Sequence, residues 1–339
     1  MSMETKILTT SSGDIKIAAE IIKTGGLAAF PTETVYGLGA NALDAKAVGK
    51  IYEAKGRPSD NPMIVHIGRA SDIGQLTPKL SPLVVSLIDN FWPGPLTLVV
   101  EKKPEVPDTT TGGLATVAVR MPDDSAALAL ICEAGCPIAA PSANISGSPS
   151  PTKPIHVIQD LGGKIDAIIV GGDCRVGIES TVLDVTVDPP AILRPGIITA
   201  EDIKAVIKKD VAFDPVLLKN TQNGESGADG LKPKSPGMKY KHYAPKAEMA
   251  VIEGQRDRVK AEIQRLRELN ENAGNRVGVI LFEEKSFREA AHDFFAELRE
   301  LDDRGVDVIF AGALSDTDGV GFAVMNRMMK SAGYNIVKV

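Results

Sequence analysis

Residues 27–67 read LAAFPTETVYGLGANALDAKAVGKIYEAKGRPSDNPMIVHI, and this stretch decides the class of fold. The apolar runs over 27–30 and 63–67 each predict a buried strand. Between them, Asp44 stands at the N-cap position of an amphipathic helix, and Gly56 stands where that helix should end. The order of strand, polar loop, helix, basic turn and strand is typical of an α/β protein, in which binding sites lie at the ends of strands.

Two polar segments within this stretch are candidate binding loops. The first is the Thr-Glu-Thr sequence at 32–34, followed by Gly37 and Gly39, which permit backbone conformations that other residues resist. We therefore predict one continuous loop between the first strand and the helix. The second is the basic turn after the helix, which carries Lys55, Arg57 and Asn61.

Size and composition limit the classes of protein that the chain can represent. Its 339 residues suffice for two domains with hydrophobic cores, and its net charge of −6 argues against stable nucleic-acid binding. No apolar run approaches the length of a membrane span, and no signal-peptide core is evident, so we expect no membrane association. Three cysteines are too few for a disulfide framework, which favours a cytoplasmic protein.

Farther along the chain, the pattern changes twice, which predicts three parts. Residues 1–210 mix strands and helices without strict alternation, which favours a twisted, mixed α/β sheet. Residues 211–246 predict a linker. Residues 247–339 alternate strand and helix regularly, which predicts a small parallel sheet with Rossmann-like winding.

Within the linker, residues 231–245 are both basic and aromatic, with Tyr240 and Tyr243 among them. This composition favours a segment that folds against the rest of the protein, and we hypothesise that it acts as a lid. A plain tether with accidental lysines is the alternative.

Familiar nucleotide and metal motifs are missing from the sequence. It contains no G-x-x-x-x-G-K-[ST] loop, and GLGANA at 37–42 is a weak dinucleotide fingerprint because polar residues separate it from the strand. No His/Cys cluster offers a metal site. What remains are loops rich in hydroxyl groups and guanidinium groups, which suit an anionic ligand such as a nucleotide with an amino acid.

Single residues in these loops leave two interpretations open. Serine and threonine after strands are also ordinary turn residues. Arg120 lies in an apolar strand, and a buried arginine needs a partner, for which a ligand carboxylate is a good candidate. His66 also lies in an apolar strand, and its spacing fits either a core histidine or a ligand contact.

Several motifs, in order along nearly the whole chain, resemble the signature of a known family, the YrdC-like domain. With the C-terminal extension, the chain is similar to the long, two-domain form of the threonylcarbamoyl-AMP synthase family. The motifs are FPTETVYGLG (30–39), KGRP (55–58), NPMIVH (61–66), WPGPLT (92–97), VRMP (119–122), PSANISG (141–147), ESTVLD (179–184), RPG (194–196) and GFAVMNR (321–327).

This resemblance implies a fold and a reaction. The fold is a twisted mixed sheet around a concave face, with the extra C-terminal domain. The reaction joins L-threonine, bicarbonate (or CO2) and ATP into threonylcarbamoyl-AMP and pyrophosphate, with Mg²⁺ held mainly by the ATP phosphates and by water. Separate downstream enzymes would then transfer the threonylcarbamoyl group to tRNA.

The resemblance also assigns residues to two subsites. The threonine subsite comprises Thr34, His66, Arg120, Ala140 and Ser180. The ATP subsite comprises Lys55, Arg57, Asn61, Thr116, Ser142, Ser150, Arg194 and, from the linker, Tyr240 or Tyr243. No Ser-His-Asp or Cys-His set is evident, so no covalent enzyme intermediate is expected.

Two other functions remain as alternatives. A non-enzymatic RNA-binding or ribosome-assembly protein would use a basic concave face, but the net charge and the lack of stacking aromatic residues on these loops argue against it. Carbamoyl transfer in hydrogenase maturation uses a related domain, but its zinc-finger cysteines are missing here.

Overall fold

The structure is a computed structural model, which describes residues 4–217, 233–235, 242–282, 285–315 and 319–339. Tyr240 and most of the segment 231–245 lie outside the described residues. Across the part that is described, no helix is both long and apolar enough to span a membrane.

The larger of two sheets is mixed and has eleven strands in the order β1-β8-β2-β3-β7-β4-β6-β5-β9-β10-β11. The sheet contains parallel pairs, such as β4 with β6, and antiparallel pairs, such as β5 with β6, which confirms the mixed sheet. The strands are β1 (Lys6–Leu8), β2 (Ala28–Phe30), β3 (Gly37–Asn41), β4 (Ile64–His66), β5 (Leu96–Glu101), β6 (Thr116–Arg120), β7 (Ile138–Ala139), β8 (Ala167–Ile169), β9 (Thr181–Asp184), β10 (Ala191–Arg194) and β11 (Ala212–Phe213).

Helices cover this sheet and bury its apolar faces. They are α1 (Ser12–Lys23), α2 (Ala45–Lys55), a 3₁₀ helix (Ala70–Gln75), α3 (Pro82–Phe91), α4 (Asp108–Thr111), α5 (Ser125–Ala134), α6 (Pro154–Leu161) and α7 (Ala200–Ile207). The Asp44 carboxylate accepts hydrogen bonds from the amides of Lys46 and Ala47, and Gly56 ends α2 with a φ of 61°. Both predicted caps of α2 are therefore confirmed.

The predicted continuous loop before α2 is wrong, because residues 37–41 form strand β3, which pairs antiparallel with β2. Neither Gly37 nor Gly39 has a positive φ. A Cβ on Gly39 would lie 2.7 Å from a side-chain atom of Ile138 and 2.8 Å from the ring of Phe30. Glycine therefore serves close packing within the sheet at this position, and not a turn.

The second sheet is smaller and entirely parallel, with the order β13-β14-β12-β15, which confirms the Rossmann-like prediction. Its last strand is absent from the sequence prediction. The elements are β12 (Glu248–Glu253), α8 (Arg256–Asn272), β13 (Val277–Ile280), α9 (Phe287–Asp303), β14 (Val308–Gly312), α10 (Val320–Ser331) and β15 (Ile336–Lys338). We call residues 248–339 the C-terminal unit; the predicted division at 210 and 246 stays a prediction.

The C-terminal unit packs against the larger sheet through a shared hydrophobic cluster. Val35, Ile178 and Ile197 from the first part lie in one core with Phe295 of α9 and Val324 of α10. The loop before β9 approaches α9 so closely that a Cβ on Gly177 would lie 2.3 Å from the carbonyl oxygen of His292. The backbones of the two parts are therefore in direct contact beside this loop.

Candidate active site

A small cavity lies where several strands of the larger sheet end. Its free volume is about 50 Å³, which is room for a few water molecules. Residues of the first polar loop, strand ends and the segment before β12 line it together. The lining residues are Thr32, Thr34, Val35, Tyr36, Gly37, Arg57, Ile64, His66, Arg120, Ala140, Pro141, Ser142, Glu179, Arg194, His242 and Tyr243.

Arg120, at the end of β6, is buried beside this cavity, and each nitrogen of its guanidinium group has a polar neighbour. Its Nη2 atom forms an ion pair with the Glu33 carboxylate at 2.5 Å. Its Nη1 donates to the Thr34 hydroxyl at 2.9 Å, and its Nε donates to the Gly94 carbonyl at 3.2 Å. The partner that a buried arginine requires is therefore Glu33, a residue that the sequence analysis did not assign to the site.

His66 lies beside Arg120, because β4 and β6 pair in parallel with these two residues in register. Its ring meets Phe30 edge-on, with 6.0 Å between the centroids. Burial, and then the charge of Arg120, lower the pKa of His66 to about 3, so its imidazole is neutral at pH 7. Its Nδ1 has no hydrogen-bond partner in the part of the chain that the structure describes.

Two further guanidinium groups, those of Arg57 and Arg194, line the cavity. Arg57 donates to the backbone carbonyls of Pro62 at 3.0 Å and Asn61 at 3.4 Å. Arg194, at the end of β10, donates to the Ser180 carbonyl at 3.0 Å and to its hydroxyl at 3.1 Å. Burial lowers the pKa of each arginine to about 10, so both remain charged at pH 7.

Glu179 supplies a buried carboxylate to the same cavity, close enough to Arg194 to interact with its charge. Its Oε1 accepts a hydrogen bond from the Ser150 hydroxyl at 2.5 Å, and its Oε2 pairs with Nε of Arg327 at 3.1 Å. Burial raises the pKa of Glu179, but the charges of Arg327 and Arg194 outweigh that effect and lower the pKa below its ordinary value. Glu179 is therefore ionised in the wall of the cavity.

His242 and Tyr243 form the wall that comes from the segment before β12. Tyr243 is buried, adopts a φ of 65°, and packs on Phe295 of α9 with 5.1 Å between the ring centroids. The neighbouring amide of Ala244 donates to the Gly147 carbonyl at 2.8 Å. This part of the predicted linker therefore contacts both the cavity and the C-terminal unit.

Eight of the predicted site residues line the cavity, and five others do not line it. The eight are Thr34, Arg57, His66, Arg120, Ala140, Ser142, Arg194 and Tyr243. The five are Lys55, Asn61, Thr116, Ser150 and Ser180, and Tyr240 lies outside the described residues. The strand ends thus bring most predicted residues of both subsites together.

Lys55 and Ser180 do not line the cavity but hold the loops around it. The buried Lys55 ammonium donates to the carbonyls of Ser142, at 2.5 Å, and Asn144, and burial lowers its pKa well below the ordinary value. The Ser180 hydroxyl bonds Thr97 at 2.7 Å in addition to Arg194. These contacts fix the loops that carry the lining residues.

Sequence reasoning missed Tyr36, Glu179 and His242 as lining residues, and Glu33 as the partner of Arg120. The first two and Glu33 lie within motifs that the sequence analysis lists, and His242 precedes Tyr243, so proximity to an assigned residue is the signal that could have found them. Among the described residues, no group of three or more His, Cys, Asp or Glu side chains could hold a metal ion. Glu33 and Glu179 are instead each paired with an arginine.

The fold and the cavity define an α/β protein with a cationic, buried pocket at the ends of a twisted mixed sheet. The family model described as "Telomere recombination", which spans Sua5, YciO and YrdC proteins, matches residues 20–196. The model described as "Threonylcarbamoyl-AMP synthase, C-terminal domain" matches residues 198–333. The chain belongs to the threonylcarbamoyl-AMP synthase family.

Relatives over nearly the full length carry the same name. The threonylcarbamoyl-AMP synthase of Pyrococcus abyssi is 48% identical over 96% of both chains, and that of Bacillus subtilis is 47% identical over 98% of this chain and 96% of the relative. The crystal structure of P. abyssi Sua5 complexed with L-threonine superposes with a TM-score of 0.92 at 47% identity, covering 99% of this chain and 100% of that chain. These relatives support the enzymatic prediction and not the RNA-binding alternative.

Proposed function

We propose that the protein is an L-threonylcarbamoyladenylate synthase, which forms threonylcarbamoyl-AMP and pyrophosphate from L-threonine, bicarbonate (or CO2) and ATP. The observation that carries this proposal is the full-length similarity to relatives of that name. The cavity is consistent with it, because Arg57, Arg120 and Arg194 face one space and suit the carboxylate of an amino acid and the phosphates of a nucleotide.

On the threonine side, Thr34, His66, Arg120 and Ala140 line the cavity together, and Ser180 supports the wall. Arg120 would bind the threonine carboxylate, sharing its guanidinium between that group and Glu33. The crystal structure of the P. abyssi relative with L-threonine supports an amino-acid subsite. The neutral His66 adds no positive charge beside Arg120, so it would contact the substrate by shape and hydrogen bonding.

On the ATP side, Arg57, Ser142 and Arg194 would contact the nucleotide, with Lys55, Asn61, Thr116 and Ser150 as the surrounding residues. Only about 50 Å³ of this cavity is accessible to water, which is little beside the size of ATP. We infer that the wall formed by His242 and Tyr243 moves when ATP binds, as expected of a lid. Removing residues 231–245 should then cut pyrophosphate release, and unchanged release would contradict the role of this segment as a lid.

The proposed reaction needs positioning and charge neutralisation rather than a covalent enzyme intermediate. The threonine amine and CO2 form N-carboxythreonine, and a carboxylate oxygen of this carbamate attacks the α-phosphorus of ATP while pyrophosphate leaves. Arg57 and Arg194 would neutralise charge on the phosphates, and Mg²⁺ would enter with ATP as part of the substrate. A closed, water-poor cavity would protect the unstable carbamate.

We place this activity in the cytoplasm, where separate transfer enzymes would pass the threonylcarbamoyl group to tRNA. The product is a mixed anhydride, which reacts with water. It would therefore hydrolyse unless the transfer enzymes passed its threonylcarbamoyl group to an acceptor.

The decisive experiment measures pyrophosphate released from Mg-ATP and bicarbonate, with and without L-threonine. The proposal predicts release that depends on both threonine and bicarbonate. Release that ignores threonine would contradict the assignment. Salt-dependent RNA binding in the absence of threonine-dependent turnover would instead favour the non-enzymatic alternative.

A further inference from the structure

Arg327 reaches out of the C-terminal unit and ends against the wall of the cavity. It lies on α10, and its side chain is fully buried. Its Nε pairs with the Glu179 carboxylate at 3.1 Å, and its Nη1 donates to the Pro195 carbonyl at 2.5 Å. A charge buried this deeply is retained only with close partners, and both partners belong to the larger sheet's part of the chain.

Glu179 connects this arginine to the residues of the proposed ATP subsite. One carboxylate oxygen holds the Ser150 hydroxyl at 2.5 Å, and the other holds Arg327. Glu179 and Arg194 line the same cavity, and Arg194 interacts electrostatically with the Glu179 carboxylate. The carboxylate thus has two arginines within its field, one in the C-terminal unit and one facing the ligand.

Which of the two arginines binds Glu179 decides what Arg194 can do. While Arg327 holds the carboxylate, the Arg194 guanidinium bonds the Ser180 carbonyl and hydroxyl and stays in the cavity wall. If Arg327 lost its charge, the freed carboxylate would need a new cation in a poorly solvated place, and Arg194 is available on the same wall. A guanidinium that is bound to Glu179 would contribute less to an anionic ligand.

We propose that Arg327 is a positioning residue for nucleotide binding, which holds the Glu179 carboxylate away from Arg194 and against Ser150. This inference rests on the proposed function, because it identifies the anionic ligand near Arg194 with ATP. It gives the C-terminal unit a defined task, which is to complete the ATP side of a cavity that the larger sheet builds.

A second arginine of the same unit holds the neighbouring loop. Arg299 on α9 donates to the Pro149 carbonyl, at 3.1 Å from Nε and 2.5 Å from Nη2, directly before Ser150 in the chain. It also pairs with the Asp160 carboxylate at 2.8 Å, which accepts the Ile145 amide at 3.2 Å. Ser150 is thus held from both sides by contacts that depend on the C-terminal unit.

The test compares two substitutions that break the same ion pair from opposite ends, Arg327→Met and Glu179→Gln. Both lose the pair, but only Arg327→Met leaves a carboxylate that can capture Arg194. Arg267→Met is the matched control, because Arg267 forms an exposed pair with Glu271 on α8, far from any residue of the site in sequence. Each full-length variant is assayed for threonine-dependent pyrophosphate release over ranges of ATP and threonine.

We expect Arg327→Met to raise the KM for ATP about tenfold while the KM for threonine changes less than about threefold. Glu179→Gln should leave the KM for ATP at or below the wild-type value, since it removes the competing carboxylate. Arg267→Met should resemble the wild type. Equal rises in the KM for ATP in both pair-breaking variants, or rises that follow only their thermal stability, would overturn the proposal and leave Arg327 with a purely structural role.

Two additions keep the test decisive. If Arg327→Met does not fold, the neutral and polar Arg327→Gln replaces it, and its KM for ATP should still exceed that of Glu179→Gln. Calorimetric binding of a non-hydrolysable ATP analogue should show the same order of affinities without any turnover. Failure of the wild type to release pyrophosphate would contradict the proposed function alone, whereas equal analogue affinities in all variants would contradict the role of Arg327.

Discussion

Two buried arginine–glutamate pairs flank the cavity, and they differ in origin. Arg120 and Glu33 both come from the larger sheet's part of the chain, 87 positions apart, with an N–O distance of 2.5 Å. Arg327 and Glu179 join the two parts of the molecule across 148 positions, with an N–O distance of 3.1 Å. One side of the cavity is therefore built by one sheet, whereas the other requires both.

The two sides of the cavity should therefore depend differently on the C-terminal unit. The proposed threonine side should survive changes at the contact between the two parts, because none of its polar contacts within the described residues crosses that contact. The proposed ATP side should be sensitive to them, because Glu179 and the loop around Ser150 are held from the C-terminal unit. Each prediction below either separates the two sides or removes the distinction.

The largest expected effect is that of Arg120→Ala. The substitution removes the proposed carboxylate ligand and leaves Glu33 buried without its cation, which should cost about 3–5 kcal/mol in the free energy of unfolding. The KM for threonine should rise about a hundredfold while the KM for ATP stays within about threefold, as measured by initial rates of pyrophosphate release. A larger effect on ATP would mean that the two subsites are interchanged.

Next in size is the effect of Gly177→Ala, which tests the contact between the two parts. Gly177 has a φ of 83°, and an added Cβ would meet the backbone of His292 at 2.3 Å. Conformational strain together with the displacement of α9 should lower the free energy of unfolding by about 3 kcal/mol, as measured by urea denaturation.

Gly135→Ala is the control for that substitution. Gly135 has a φ of 66°, but an added Cβ would meet no atom within 4 Å, so strain alone should cost about 1 kcal/mol. Equal losses in the two variants would show that the close approach to α9 contributes nothing.

Arg57→Ala should have a smaller effect, confined to the ATP side. The variant loses one buried guanidinium of the proposed phosphate subsite, whose contacts among the described residues are with backbone carbonyls, so the KM for ATP should rise about tenfold. The KM for threonine should not change, and the exposed Arg69→Ala should behave as the wild type in the same assay. A selective loss of threonine binding would contradict the distinction between the two sides.

The smallest effect at neutral pH should be the pH dependence of stability that His66 gives to the threonine side, and this effect grows as the pH falls. Its pKa is about 3 in the folded protein and near 6.5 when unfolded, so between these values the unfolded chain binds an extra proton. Stability should therefore fall as pH decreases from 6.5, by at most about 1.4 kcal/mol per pH unit, and His66→Gln should abolish this part. Urea unfolding of both proteins between pH 7 and 4 measures this pH dependence. Parallel curves of the free energy of unfolding against pH would exclude the contribution of His66.

The fold was largely predictable from sequence where the pattern is periodic. The strand–helix alternation after residue 247 and the caps of α2 follow from local chemistry, and the structure confirms them. Strand β3 was not predictable in this way, because Gly-Leu-Gly-Ala-Asn has poor intrinsic preference for a strand. Its conformation follows from neighbours such as Ile138, which pack against Gly39 from a distant part of the chain.

Individual residues of the candidate site were predictable only where the local sequence shows why a particular side chain is needed. The arginines at strand ends could be recognised, since a charged residue in an apolar strand needs a partner. Glu179 could be noticed only as the neighbour of Ser180; its contacts with Ser150 and Arg327 could not be predicted, because local sequence does not reveal a partner 148 positions away. Lys55 resembled a phosphate ligand, yet the structure directs its ammonium to loop carbonyls.

Strand pairing and buried charge give different answers to whether this protein can be divided into modules. Among the residues that the structure describes, no strand of one sheet pairs with a strand of the other, so a cut between them would break no ladder. The charges do not divide in the same way, because excising the C-terminal unit would take Arg299 and Arg327 from Asp160 and Glu179. A shortened protein would need those two carboxylates neutralised by design, for example as amides, before it could serve as an independent module.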